Sequence, residues 1–220
     1  NMTSFSLSEL AAGIEETIRL NFDRAVWVRA EIGELHENSY GHCYMELIEK
    51  DENSDNLLAK IKANCWASVY RLLKPYFENA TGQAFRAGLK VLLSVTVEFH
   101  PVYGLSLTVR DIEPTFTIGE MAARRMQIIR RLEADGIVEM NKQLPLPLLL
   151  QRLAIISSPT AAGYGDFCDQ LKNNPGKFVF YTRLFPAIMQ GEQAESSIIA
   201  ALEKIFRHVE LFDAVVIIRG

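Results

Sequence analysis

The sequence predicts an α+β chain of more than one domain: a five-stranded β-barrel at the N-terminus, then part of an α/β domain with a mainly parallel sheet. Three observations predict it. Residues 26–112 alternate apolar and polar side chains with a period of two, interrupted by one helical stretch, the pattern of half-buried strands. Residues 153–218 instead set short apolar runs between helical segments, and strands joined through helices need crossover connections that make them parallel. Between these regions Leu144-Pro-Leu-Pro147 cannot continue a helix and serves as a linker. The expected organisation is 1–117 for the barrel and its leading helix, 118–150 for a helix and the proline-rich linker, and 151–220 for the α/β part.

Ser4 to Phe22 places Leu7, Leu10, Ala11, Ile14, Ile18 and Phe22 at helical spacing, with Ser6 or Ser8 able to cap near Glu9, so an amphipathic helix leads in. Val26 to Ile32, Cys43 to Ile48 and Leu58 to Cys65 then alternate as strands. Asn38-Ser-Tyr-Gly41 and the acidic loop Asp51-Glu-Asn-Ser-Asp55 are the turns between them, the second expected to be mobile. Trp66 to Phe77 reads as a helix, and Leu89 to Phe99 and Leu105 to Ile112 read as two longer strands joined around Pro101-Val-Tyr-Gly104. Three strands, a helix and two strands is the order of an OB-fold, whose five strands can close and remove exposed edges. Val28, Met45, Leu47, Ile61, Val95 and Leu107 are expected inside the barrel, as is Val26.

Glu120 to Ala134 reads as a further amphipathic helix ended by Gly136, a residue suited to the left-handed position after a helix. Its Arg124, Arg125, Arg130 and Arg131 read as a solvated face ahead of a phosphate clamp. Beyond the linker come a strand at Leu153–Ser157, a helix near Ala162–Leu171, a strand at Phe178–Phe185, a helix from about Glu192 to His208, and a strand at Ala214–Ile218.

The 220 residues are 49% hydrophobic, enough for real cores and too many for a disordered tail. Cys43, Cys65 and Cys168 have no metal-ligand spacing and cannot all pair, which fits a reducing, cytoplasmic setting. No apolar run approaches the roughly 20 residues that span a bilayer, so no membrane association is expected. The formal net charge of −4 argues against a generic nucleic-acid binder. Residues 1–117 carry 11 basic and 16 acidic side chains, and residues 118–220 carry 12 and 11. Any phosphate contact must therefore be local. Asn1 ahead of Met2 resembles the remnant of a tag, and an apolar strand directly before Arg219-Gly220 suggests a piece of a longer protein.

Alternation in the barrel leaves Trp27, Arg29, His42, Tyr44, Lys60 and Lys62 on the outer face. Aromatic rings interleaved with cations suit a single nucleic-acid strand, because bases stack on the rings and cations meet phosphates. Trp27, Arg29, Tyr44, Lys60 and Lys62 are thus candidate DNA contacts, although lysines are commonly plain surface residues and Trp27 could pack beneath the leading helix.

The second candidate site follows Arg152-Leu-Ala-Ile-Ile-Ser-Ser-Pro-Thr-Ala-Ala-Gly-Tyr-Gly-Asp166, where a buried strand delivers a polar loop and a carboxylate to one sheet edge. In open α/β sheets ligands bind outside the carboxyl ends of the strands, where the next helix begins with unpaired N–H groups. Ser157, Ser158 and Thr160 are candidate phosphate-loop residues, and hydroxyls at such a turn also serve as caps. Phosphodiester hydrolysis needs a group to activate water or hold a metal, and a cation to meet charge developing on phosphate. Asp166 and Arg219 have those chemistries, and parallel strands would bring both to one edge. From residue type alone, an acid early in a helix reads as a dipole or capping residue. His36, His42, His100 and His208 lack the spacing of a helix-borne zinc site, and no serine sits in a Gly-x-Ser-x-Gly elbow.

The Arg152–Asp166 stretch, Leu144-Pro-Leu-Pro-Leu148, Trp27-Val-Arg-Ala-Glu-Ile-Gly33 and Gly41-His-Cys-Tyr-Met-Glu-Leu47 together resemble the large subunits of exodeoxyribonuclease VII, bacterial nucleases that degrade single-stranded DNA. The resemblance spans nearly the whole chain. It implies an OB-fold that holds the DNA strand and an α/β nuclease domain that hydrolyses phosphodiesters to oligonucleotides. It assigns an essential aspartate to Asp166 and an essential arginine, opening an Arg-Gly-Gly-Gly-Ser motif, to Arg219, with only Arg219-Gly220 of that motif present. It also implies further histidine and aspartate residues downstream, so that this piece binds DNA but is catalytically incomplete. Small helical subunits are expected partners, through a region absent here. Metal dependence varies across the family, which leaves Mg²⁺ open. The acidic insertion at Asp51–Asp55 departs from the pattern and places negative charge near the proposed groove.

The rival reading is a noncatalytic OB-fold module that binds single-stranded nucleic acid while the α/β part organises partners, since one fold hosts many functions. A small-molecule α/β enzyme is disfavoured by the lack of a Gly-x-Gly-x-x-Gly loop.

Overall fold

The computed structural model describes residues 4–191 and 193–219. Two compact units divide between Asp135 and Gly136. The first begins with helix α1 (Leu7–Asn21), which starts where Ser6 and Glu9 bond reciprocally: the Glu9 N–H donates to Ser6 Oγ at 3.2 Å and the Ser6 N–H to Glu9 Oε2 at 2.7 Å. That exchange satisfies two N–H groups that the helix itself cannot pair.

Strands β1 (Val26–Glu37), β2 (Cys43–Lys50), β3 (Leu57–Cys65), β4 (Lys90–His100) and β5 (Gly104–Ile112) close into a barrel in the order β1-β2-β3-β5-β4. All contacts are antiparallel except β3 with β5. This is the five-stranded OB-fold barrel expected from element order. β1 runs five residues further than alternation indicates, because its register with β2 shifts between Ile32 and Glu34. The bulge falls on Gly33, where a Cβ would lie 3.1 Å from Ile48 Cγ2. Glycine suits that close approach, since a Cβ would force Ile48 to give by a few tenths of an ångström, and the shift lets one strand pair β4 with its first half and β2 with its second.

The core gathers Ile32, Met45, Leu47, Val91, Leu93, Val95, Leu107 and Val109, with Val28 and Ile61 partly buried against it. Six of the seven residues expected inside therefore line it. Val26 does not: it is 36% exposed at the start of β1. Helix α2 (Ala67–Thr81) contributes Tyr70, Leu73 and Phe77 to the same core. It continues through Pro75 to a left-handed Gly82, φ 66°, because burying Phe77 outweighs the backbone bond that proline forfeits. Helix α3 (Pro114–Ala134) begins earlier than Glu120, with Pro114 at its first position and the Glu113 carboxylate accepting from the Thr115 N–H at 3.1 Å. A proline there is preorganised for the helix and lacks only an N–H that would go unpaired.

In the second unit, strands β6 (Arg152–Ser157), β7 (Tyr181–Pro186) and β8 (Ala214–Ile217) form a parallel sheet in the order β7-β6-β8. Helices α4 (Ala162–Lys172) and α5 (Ala194–Phe206) connect them. Leu153 to Ser157 are all buried in the central strand, and Ala201 and Ile205 of α5 pack on Ala154 and Ile156. At the amino edge, Asp213 accepts from the Gln151 and Arg152 N–H groups at 2.9 and 2.7 Å and from Arg152 Nη2 at 2.8 Å. The Arg152 guanidinium and those N–H groups hold the Asp213 carboxyl well below the usual carboxylate range. Among the described residues no helix is long and apolar enough to cross a membrane.

Candidate nucleic-acid surface and catalytic edge

β6 is the middle strand, with the next strand in sequence on one side and the third on the other. Chain order thus reverses between β6 and β8. Outside the carboxyl ends of two such neighbours, the connecting loops part and leave a crevice, where ligands of open α/β sheets bind. Helix α4 starts five residues after β6 ends, and Ile218-Arg219 follows β8. Gly163 in the first turn of α4 touches that second segment: a Cβ on it would lie 3.3 Å from the Arg219 carbonyl oxygen and 3.3 Å from Ile218 Cγ2.

Asp166 stands three residues beyond Gly163 and so shares its side of the helix. Helical side chains tilt toward the amino end, the end of α4 that Ile218 and Arg219 approach at Gly163. Asp166 is exposed. The cap position belongs to Ala161, which offers no side-chain bond, so Asp166 is not capping α4. Arg219 is exposed as well, and Gly220 lies outside the described residues.

The loop between β6 and α4 divides the three hydroxyl candidates. Ser157 is fully buried and donates to the Ile218 carbonyl at 2.9 Å. It is not open to phosphate. Ser158 and Thr160 stay accessible and bond each other at 3.2 Å. Ser158 also lines a cleft of about 590 Å³ with Pro159, Pro186, Ile188 and Met189, between the loops that follow β6 and β7. That cleft lies on the β7 side of β6, whereas Arg219 follows β8 on the other side.

On the barrel, the five candidate DNA contacts fall in two stretches. Trp27 and Arg29 lie opposite Ser94 and Leu92 of β4, and they line a cleft of about 520 Å³ with Leu92 and Glu113. Tyr44, Lys60 and Lys62 lie on β2 and β3, with Tyr44 opposite His36 and Asn64. Trp27 and His36 stand nine positions apart along β1, roughly 30 Å of extended chain. Lys60 is 3.5 Å from Glu46, and Glu46 also faces Lys62 and Glu34 across the strands. Carboxylates thus interleave with the lysines. The acidic loop after β2 is internally bonded, with Asp51 Oδ1 accepting from the Asn53 and Ser54 N–H groups at 2.9 and 3.0 Å.

His42 is half-buried, and its Nδ1 accepts from the Ala67 N–H at 3.0 Å while its ring meets Trp66 edge-on. It caps α2, whose own cap residue Trp66 has no hydroxyl or carboxylate to offer. Sequence reading misses this role because 25 residues separate the partners. It misses Gly163 too, although glycine in a helix that alanine would stabilise signals close backbone approach. Among the described residues no three His, Cys, Asp or Glu side chains gather as a metal site. Asp166 and Asp169 stand three residues apart on α4, both exposed.

Residues 137–220 match the family described as exonuclease VII, large subunit, and residues 5–113 match the OB-fold nucleic acid binding domain family. The exodeoxyribonuclease 7 large subunit of Deinococcus radiodurans is 34% identical over 220 residues, covering 97% of this chain and 52% of that protein. The corresponding proteins of Shouchella clausii and Halalkalibacterium halodurans are each 30% identical, covering 89% and 98% of this chain and 39% and 43% of theirs. The chain spans about half the length, or less, of these relatives.

Proposed function

Because the chain belongs to the family of exonuclease VII large subunits, we propose that it holds single-stranded DNA on its barrel and carries two catalytic groups of a phosphodiester hydrolase on its parallel sheet. The observation that carries this reading is the contact of Arg219 with the first turn of α4, the helix that bears Asp166, at the reversal of chain order between β6 and β8.

In the proposed step, water attacks phosphorus and its proton passes to the Asp166 carboxylate as the bond to the leaving sugar oxygen breaks. The leaving oxygen takes up a proton from solvent. The Arg219 guanidinium meets the negative charge that builds on the phosphoryl oxygens. Ser158, Thr160 and the free N–H groups opening α4 receive a phosphate of the strand. Trp27 and Tyr44 stack on bases, and Arg29 and Lys62 meet phosphates between them. Lys60 contributes less, since Glu46 already neutralises it.

The proposal includes small helical subunits as partners and the cytoplasm as the compartment. The 220-residue chain binds DNA without turning it over, and the complete gene product with its partner degrades it. Release of acid-soluble oligonucleotides from labelled single-stranded and duplex DNA tests the reading. Release from single strands in preference to duplex is expected. Tight binding of single strands with no release by the complete assembly would favour the noncatalytic module.

A further inference from the structure

Resting on the assignment of Arg219 to the catalytic edge, we propose that Ser157 and Gly163 are positioning residues, which set the backbone of Arg219 against the helix that carries Asp166. β8 ends as a paired strand at Ile217, so Arg219 is not held by the sheet ladder itself. Ile218 is held at both of its backbone polar groups. Its N–H donates to the Ile156 carbonyl at 2.9 Å, and its carbonyl accepts the Ser157 hydroxyl, also at 2.9 Å.

Ser157 is fully buried at the end of an otherwise apolar strand, Leu153-Ala-Ile-Ile156. A hydroxyl there is costly unless it is bonded, and its bond goes to the residue immediately before Arg219. Gly163 closes the arrangement from the helix side. The distances that a Cβ would make, 3.3 Å to the Arg219 oxygen and 3.3 Å to Ile218 Cγ2, are tighter than ordinary van der Waals contact. Any side chain at 163 must push Ile218-Arg219 away by a few tenths of an ångström. One hydroxyl and one missing methyl group thus fix where the guanidinium starts, and displacement of a catalytic group by about 1 Å can cost up to 10²-fold in rate.

The test uses the complete gene product with its small subunit and single-stranded DNA. Ser157→Ala should lower kcat about tenfold with KM within about twofold, and Ser157→Thr, which keeps the hydroxyl, should recover to within about threefold of wild type. In an Arg219→Lys background the same Ser157→Ala change should cost less than about twofold, because a residue acting through Arg219 loses its leverage when Arg219 is altered. Gly163→Ala serves as an independent variant if Ser157→Ala folds poorly. Alanine favours the helix at this ordinary φ, so the expected result is a folded protein with kcat reduced severalfold.

Full activity in both folded Ser157→Ala and Gly163→Ala, with Arg219→Ala inactive, would overturn the positioning role and leave the catalytic reading intact. An equal loss from Ser157→Ala in wild-type and Arg219→Lys backgrounds would overturn it as well, marking a general packing role. Wild-type activity in Arg219→Ala would overturn the catalytic reading and the inference with it.

Discussion

Replacing Trp27 by alanine is expected to weaken single-stranded DNA binding about five- to tenfold without changing its salt dependence. Trp27 is 53% exposed beside Arg29 and Leu92, so about half of its surface is free to act as a platform. A stacked base is worth about 1–3 kcal/mol. Half-exposure places Trp27 at the lower end, about 1–1.4 kcal/mol, and 1.4 kcal/mol is a factor of about ten in affinity. Lys62→Ala should behave differently. It removes one phosphate contact and lowers the slope of log affinity against log salt by about 0.7, the single-strand value per contact. Arg29 and Lys62 have no ion-pair partner among the described residues, so the two together contribute about −1.4 to that slope. Lys60→Ala releases Glu46 from its 3.5 Å pair, and its effect on the slope should be smaller. Fluorescence anisotropy of a labelled oligonucleotide with the 220-residue chain, between about 50 and 200 mM salt, measures both quantities. Unchanged affinity in folded Trp27→Ala, a slope change matching that of Lys62→Ala, or tighter binding to duplex would refute the stacking argument.

Three further outcomes concern stability. Phe77 is fully buried and meets Phe85 edge-on at 5.3 Å, so Phe77→Ala should cost about 3–5 kcal/mol in chemical denaturation of the barrel, and a loss under about 1 kcal/mol would contradict the packing described. His42→Ala leaves the Ala67 N–H without its acceptor and should cost about 0.5–2 kcal/mol, the range for a lost helix cap; His42→Asn should restore part of it. The Asp213 carboxyl has its folded pKa lowered, and such a group adds stability above its ordinary value, near about 4, that disappears as pH falls through the folded value. Asp213→Asn should therefore lower the melting temperature at neutral pH, with the gap to wild type closing in acid; a gap that widens in acid would reverse the assigned sign.

Much of the fold is legible along the chain because each barrel strand has one wet and one dry face, which alternation records directly. The reading fails where a local device interrupts that record. Gly33 takes the bulge, so Ile32 and Leu35 both point inward and the period of two breaks halfway along β1. The helical periodicity reads from Glu120, yet Pro114 is the first residue of α3. Phe178 to Phe180 read as the start of β7, yet the Asn174 side chain bonds both the N–H and carbonyl of Phe178 at 2.9 and 2.8 Å and holds that residue out of the ladder. At the candidate site, residue types leave Asp166 and Arg219 undistinguished, and only the resemblance to the family singles them out. The use of Ser157 is not visible, because its partner Ile218 is 61 residues away. Only the parallel register of β6 with β8 brings the two together.

The most direct test of the central claim is the single-turnover cleavage rate of single-stranded DNA by the complete gene product with its small subunit, compared with Asp166→Ala and Arg219→Ala at matched DNA occupancy. Both variants should bind the strand nearly as well as wild type while cleavage falls by about 10²-fold or more, the size expected when a general base or a group stabilising developing charge is removed. Cleavage within about threefold of wild type in either folded variant would contradict the assignment of the β6–β8 edge as the catalytic centre.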